Sequence, residues 1–340
     1  MTLLRTAIKS TPPYPVVSKA RITITRFGRQ AACTAVARLQ ATLHNPPSQR
    51  PPVVIAASPR GGSTWVSEIV EASMHDPAVI WEPLHPNKMN TPYPSFSWRE
   101  LIPESASWPE ALSFFRDLFS GHIVRANDIE PWTWRGLWSR PRRTKLVKFV
   151  RANRLLPWLV SNFPDITPIL IVRHPCAVVS SQLNHPAFER NISRCNSVGG
   201  RFSSYYDQFA DILKNITTIE EALTATWCLD HIITLRHRFN NRRWTTVYYE
   251  DLVKYPDRET MRIIPAKEHP PPADRIKNLA NKPSKTTLNN SSFKQGNIRL
   301  DAWRKKLDEK QIDRILSMVK RFGLDDIYAE SPLPKKCRRP

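Results

Sequence analysis

The first fifty residues contain neither Asp nor Glu, yet they carry eight Lys or Arg. Such an acid-free stretch, rich in Ser, Thr and Ala, suits an organelle transit peptide, a basic helix around 27–43 lying on a membrane surface, or a basic arm packed loosely on the rest. Glycine is scarce, nine residues against 31 prolines, which implies many stiff, non-helical connections. The five cysteines (Cys33, Cys176, Cys195, Cys228 and Cys337) are odd in number, scattered and without C-x-x-C spacing. Neither a disulfide framework nor a zinc site is indicated, no metal is expected, and reduced thiols in a cytosol-like compartment are the default. No apolar run approaches the roughly 18 to 20 residues of a membrane span. The expectation is a cytoplasmic or peripheral membrane protein with no transmembrane segment and no signal anchor.

What is abundant is positive charge. A net charge of +21 over 340 residues points to anionic partners, whether nucleic acid, lipid headgroups, or a nucleotide cofactor plus an acidic glycan. The length suffices for one large α/β domain with appendages. Asn45 to Pro52, with four prolines, reads as the linker from a basic N-terminal arm (1–50) into that domain (51–330), and 331–340 reads as a basic tail.

The chain is organised around Val53 to Trp65. Five apolar residues, three of them β-branched, predict a short buried strand, and Ser58-Pro59-Arg60-Gly61-Gly62 predicts a tight turn. A helix follows, with Ser63 or Thr64 near its N-cap, Glu68 early in it, and Val66, Ile69, Val70 and Met74 at helical spacing. A strand, a glycine turn and a helix N-terminus aim unpaired N–H groups at one point, which suits a phosphate or sulfate, and Arg60 adds charge there. The nucleotide triphosphate loop, G-x-x-x-x-G-K-[ST], is a different pattern, because here the basic residue precedes the glycine pair.

Ala78 to Trp81 reads as a second strand. Glu82 at its end is expected to face the same cleft as Arg60, where burial beside Trp81 would raise its basicity toward an attacking hydroxyl. His85 is a rival base. Lys145 to Val150 predicts a strand ending at Arg151, and Leu155 to Phe163 a helix. Pro168 to Val172 predicts a further strand running into Arg173 and a helix. An Arg at a strand terminus and Ser181, on the first turns of the next helix, can reach one anion. Ala222 to Phe239 predicts a helix, Trp244 to Tyr249 another strand, and Ile312 to Phe322 a last helix stopped by Gly323.

Ser58-Pro59-Arg60-Gly61-Gly62-Ser63-Thr64-Trp65 resembles the phosphosulfate loop of sulfotransferases that use 3′-phosphoadenosine 5′-phosphosulfate (PAPS), written (R/K)-S-G-(S/T)-(S/T)-(W/F), with Gly61 in place of the usual Ser. Lys148 and Arg151, the Phe163-Pro164-Asp165 turn, and Val172-Arg173-His174-Pro175 with Ser181 resemble the carbohydrate branch. That branch carries K-x-x-R, then V-R-D-P-R-A-V with a Ser eight residues after the Arg; His174 and Cys176 depart from it. Tyr249-Glu250-Asp251-Leu252 resembles its Y-E-D-L.

The resemblance implies a P-loop-like three-layer α/β/α domain with a central parallel sheet. It further implies transfer of a sulfuryl group from PAPS to a hydroxyl of a glycan or glycolipid, leaving adenosine 3′,5′-bisphosphate (PAP). Glu82 would be the base, with Arg60 and Lys148 assisting. Arg60, Gly61, Gly62, Ser63, Thr64, Trp65, Arg173, Ser181, Tyr249 and Lys294 would hold the donor. Trp227 is a second candidate beside the adenine, and Arg304 could join Lys294 in a closing loop. The Trp-rich insert 91–144, with Trp98, Trp108, Trp132, Trp134 and Trp138, would form a lid on the acceptor side. The basic N-terminus allows peripheral membrane contact, and no specific nucleic acid is expected. Two rival readings are a nucleotide-dependent phosphotransferase and a basic nucleic-acid-binding protein without catalysis.

Overall fold

A computed structural model describes residues 51–85, 94–123, 143–186, 200–264 and 300–335, together with parts of 28–39 and a few isolated positions. Five strands form one sheet: β1 (Val53–Ala57), β2 (Ala78–Trp81), β3 (Lys145–Phe149), β4 (Thr167–Val172) and β5 (Thr245–Tyr248). All are parallel, in the order β2-β3-β1-β4-β5. Among the described helices are α1 (Ser63–Ser73), α2 (Pro109–Ser120), α3 (Leu156–Asn162), α4 (Pro175–Leu183), α5 (Ile219–Arg236), α6 (Tyr249–Lys254), α7 (Pro256–Ile263) and α8 (Glu309–Arg321), with a single turn at Ala210–Leu213.

Every residue of β1 is buried, as a central parallel strand covered on both faces requires. Val53, Ile55 and Ala57 pack with Trp65, Val66, Ile69 and Val70 of α1 and with Ile263 of α7. Val54 and Ala56 face the larger core, where Phe114 and Phe115 of α2, Trp158 of α3, Trp227 of α5 and Met318 of α8 meet. This is a three-layer, P-loop-like α/β/α domain. Fully burying side chains of this size contributes about 1.5–3 kcal/mol each, so the two faces of β1 are the stable platform for whatever its C-terminal end carries.

That end is a switch point. From β1 the chain runs out to β2 and returns at β3 on one side, whereas β4 and β5 lie on the other. The carboxyl ends of β1 and β4 therefore open the crevice in which α/β sheets bind ligands.

Several boundaries differ from expectation. The N-cap of α1 is Gly62, in the left-handed region at φ 94°, so Ser63 and Thr64 lie inside the helix and no side chain caps it. Glu68 falls beyond the first turn, which carries no acid. α5 begins at Ile219 because Thr218 and Glu221 form a capping box. Tyr249 starts α6 instead of closing β5.

The aromatics of 91–144 divide. Phe96, Trp108, Phe114, Phe115 and Phe119 are core, with Phe115 centred 5.8 Å from Trp158. Trp98 is 48% exposed, and Trp132, Trp134 and Trp138 lie outside the described residues, as does most of the N-terminal arm. Among the described residues, no helix is long and apolar enough to cross a membrane.

Candidate active site

The loop after β1 is a strained turn held from several sides. Arg60 has φ 69°, a conformation that costs a non-glycine residue roughly 1–2 kcal/mol. The Gly61 N–H donates to the Ser58 carbonyl at 2.9 Å, closing the turn. Gln182 Nε2 donates to the Pro59 carbonyl at 2.9 Å, and the buried Ser58 hydroxyl donates to Asp230 Oδ2 at 2.9 Å. Gly62 is demanded by a neighbour: a Cβ there would lie 2.5 Å from the Tyr249 ring.

Two guanidiniums meet over this turn. Arg60 Nε donates to Ser181 Oγ at 3.0 Å, and Arg173 donates to the Arg60 carbonyl at 3.2 Å. Arg173 also lies 4.3 Å from the centre of the Tyr249 ring, which in turn is 5.2 Å from Trp65. Burial, then repulsion from Arg173, lowers the affinity of Arg60 for its proton. Among the described residues no ion pair joins either guanidinium to a carboxylate, and Arg173 Nε is buried with no hydrogen-bond partner. With the uncapped start of α1 beside them, these groups form a cationic cradle suited to an anion with several acceptor oxygens.

His174 explains how a His serves where an Asp is usual. Its Nδ1 accepts from the Cys176 N–H at 3.2 Å, capping α4, and its Nε2 lies 3.0 Å from the Ala329 carbonyl, so the ring is neutral with its proton on Nε2. Burial pushes it down to about 4. The His174 N–H donates to Glu250 at 2.9 Å, and Tyr328 Oη donates to the same carboxyl at 2.5 Å. Burial raises the Glu250 carboxyl above its ordinary range. Burial likewise pushes the Cys176 thiol up to about 12. Trp227 Nε1 donates to the Arg173 carbonyl at 3.1 Å, so this indole steadies the strand terminus from the core.

Glu82 begins the other half of the cleft. It has φ 51°; Oε1 accepts from Lys148 Nζ at 3.0 Å and Oε2 from the Val150 N–H at 3.0 Å. Arg151 approaches Oε2 at 4.0 Å. The surroundings are therefore cationic, where the sequence suggested an apolar wall at Trp81; that ring instead carries Lys148, 4.4 Å from its centre. Lys148 lies beside Ile55 in the sheet register and, two residues from Leu146, shares with it the face that α1 covers. Arg151 stacks 3.6 Å from the centre of the Trp98 ring, and burial lowers it to about 10, with Glu82 opposing and Arg99 adding to the fall. His85 contacts the same indole edge-on, 5.5 Å between centroids.

The cradle and the carboxylate both lie at the C-terminal edge of the sheet. The family model described as "Sulfotransferase family" matches residues 51–270. The chain belongs to the sulfotransferase family. The match takes in both halves of the cleft. Three solved structures are similar to this sulfotransferase at low identity. Mouse sulfotransferase SULT7A1 complexed with PAP is 13% identical, covering 83% of this chain and 89% of that one, with a TM-score of 0.39. The sulfotransferase domain of the Synechococcus PCC 7002 olefin synthase is 18% identical, covering 84% and 98%, with a TM-score of 0.39. STF9 from Mycobacterium avium is 14% identical, covering 95% and 89%, with a TM-score of 0.37. No curated protein matches.

Arg60, Gly61, Gly62, Ser63, Thr64, Trp65, Arg173, Ser181 and Tyr249 are gathered around one turn of this sulfotransferase, and Glu82 and Lys148 around the neighbouring strand ends. Lys294 lies outside the described residues. Arg304 stacks 4.5 Å from the centre of the Trp303 ring and donates to the Glu330 carbonyl. Sequence reasoning missed Gln182, Arg99, Arg154 and Asp230. The signal available was Asp230 itself, a charge between Leu229 and Ile232 in an apolar helical pattern. Among the described residues, no group of His, Cys, Asp or Glu could hold a metal ion.

Proposed function

We propose that the chain transfers a sulfuryl group from PAPS to a hydroxyl, with a carbohydrate or glycoconjugate as acceptor. The observation carrying this reading is the convergence of Arg60, Arg173 and Ser181 on the uncapped α1 terminus, with a buried guanidinium N–H left over. A donor with phosphate at both ends needs two sets of anion contacts. Arg60 and the N–H groups of residues 62–64 suit the 5′-phosphosulfate, Arg173 and Ser181 the 3′-phosphate, and the Tyr249 and Trp65 rings the space between. When bound, the donor supplies an activated S–O bond; the chain supplies position and charge.

Glu82 takes the acceptor proton as the acceptor oxygen bonds to sulfur and the bond from sulfur to the phosphate oxygen breaks. Lys148 and the Val150 N–H hold the carboxylate in place by one contact to each oxygen. Arg60 and the α1 N–H groups stabilise charge growing on the departing phosphate oxygen, and Lys148, at hydrogen-bond distance from Glu82, adds positive charge beside the transferring group. A carbohydrate acceptor is favoured by the half-exposed Trp98 indole beside Arg151.

The test is a donor-dependent sulfation screen against glycans, glycolipids and small alcohols, with PAP binding measured beside it. Arg60→Ala and Glu82→Ala are each expected to abolish turnover, and only Arg60→Ala to weaken PAP binding, by tenfold or more. Stabilisation by ATP with Mg²⁺ but not by PAP would favour a phosphotransferase. Lost donor affinity with normal turnover in Glu82→Ala would refute the base.

A further inference from the structure

Asp230 sits in the interior of α5 with 3% of its surface exposed. A charge there, in a poor position for Asp by helix propensity, is tolerated only with close partners. Its oxygens collect three. Oδ1 accepts from Arg154 Nε at 3.0 Å. Oδ2 accepts from Ser58 Oγ at 2.9 Å and from Arg99. Arg154 also donates to Tyr206 Oη at 3.0 Å. Burial alone would raise the Asp230 carboxyl, but Arg99 and Arg154 outweigh it and hold it below its ordinary range.

Each partner belongs to a different segment of the cleft. Ser58 opens the turn that carries Arg60. Arg99 follows Trp98, the indole on which Arg151 stacks. Arg154 lies in the turn after β3, three residues past Arg151, which faces Glu82. One carboxylate thus touches the supports of both the donor-side loop and the Glu82 side.

We propose that Asp230 is a positioning residue that sets the Arg60 loop in register with the Glu82–Arg151 side of the cleft. It touches neither reacting group and acts through Ser58, Arg99 and Arg154; the proposal rests on the sulfuryl transfer read above. In-line transfer is sensitive to sub-ångström placement of the two sides. A hydrogen bond to a buried charge is among the stronger restraints on a loop.

Ser58→Ala cuts only the loop contact and leaves the buried ion pairs intact, so it folds even where Asp230→Asn does not. In the full-length protein three readouts are taken: kcat with KM for donor and acceptor, melting temperature, and amide exchange of residues 58–66. Ser58→Ala is expected to lower kcat about tenfold with acceptor KM within twofold of wild type, and to speed loop exchange about tenfold. Ser58→Thr, which keeps the hydroxyl, restores both. Asp230→Asn, where folded, shows a larger loss in the same two readouts. A lower melting temperature with unchanged kcat and unchanged loop exchange would reduce Asp230 to a structural ion pair and overturn the proposal. Exchange is read whether or not the wild type turns over. Absent sulfation with accelerated exchange would therefore sink the activity and leave the loop restraint standing, whereas normal sulfation with unaltered exchange does the reverse.

Discussion

An added Cβ at Gly61 would lie 2.8 Å from the Ser58 carbonyl oxygen, closer than real contacts allow, and the atom in the way is backbone. The family's usual Ser is therefore excluded here by the shape of the turn, which its own Gly61 N–H to Ser58 hydrogen bond closes. Gly61→Ser is expected to weaken PAP binding and to cost about 1–3 kcal/mol of stability, although it brings the loop nearer to the family pattern. Calorimetry and a thermal melt check it, and tighter binding with an unchanged melt would mean that the turn is not built this way. Glu82 makes a related point. Its φ of 51° was invisible in the sequence, since nothing in Trp-Glu-Pro demands a left-handed residue. That strain is sustained by the Lys148 and Val150 contacts on its carboxylate.

At the scale of elements, α4 depends on a histidine that must stay uncharged. Protonating His174 Nδ1 would remove the acceptor for the Cys176 N–H and add charge beside Arg173 and Arg304, both of which already disfavour it. The unfolded chain binds this proton near the ordinary value of 6.5 and the folded chain only near 4. Stability is therefore full above pH 6.5 and is lost as pH falls toward 4, amounting to about 3 kcal/mol. Urea midpoints at pH 7.5 and pH 4.5 measure it. His174→Asn, which keeps an acceptor that does not titrate, is expected to lose less over the same interval. The residual loss includes that of His231, His237 and His185, likewise lowered by burial. Equal losses in the two proteins would show that the capping ring is not the titrating group. α1 shows the opposite arrangement, a terminus left without a side-chain cap, which is where the proposed donor would bind.

Over the whole molecule, the strands and the residues that meet at the turn after β1, Arg60, Arg173 and Ser181, were legible because they rest on local pattern. β-branched runs marked the strands, a glycine pair marked the loop, and Arg173 and Ser181 stood at a fixed separation within one strand-helix step. What could not be read was set by tertiary contact. Tyr249 starts a helix, and its ring fills the space over Gly62. The described Trp and Phe residues of 91–144 divide between core and cleft according to packing, Phe115 against Phe149 and Trp158 among them. Asp230 gathers residues 131 and 172 positions away, a separation no motif encodes. The net charge of +21 is consistent with a nucleotide donor but could not choose it over nucleic acid; the cradle at the β1/β4 switch point narrows the choice.

The proposed transfer requires Arg60 and Arg173 to grip opposite ends of a single adenylate, and calorimetry with PAP and adenosine 5′-monophosphate tests this directly. Wild-type protein is expected to bind PAP at least about a hundredfold more tightly than the monophosphate, as two charge-assisted contacts to the extra phosphate would give. Arg173→Ala is expected to erase most of that preference while leaving monophosphate affinity nearly unchanged. Equal affinity for the two nucleotides in the wild type, or a preference that survives Arg173→Ala, would contradict it.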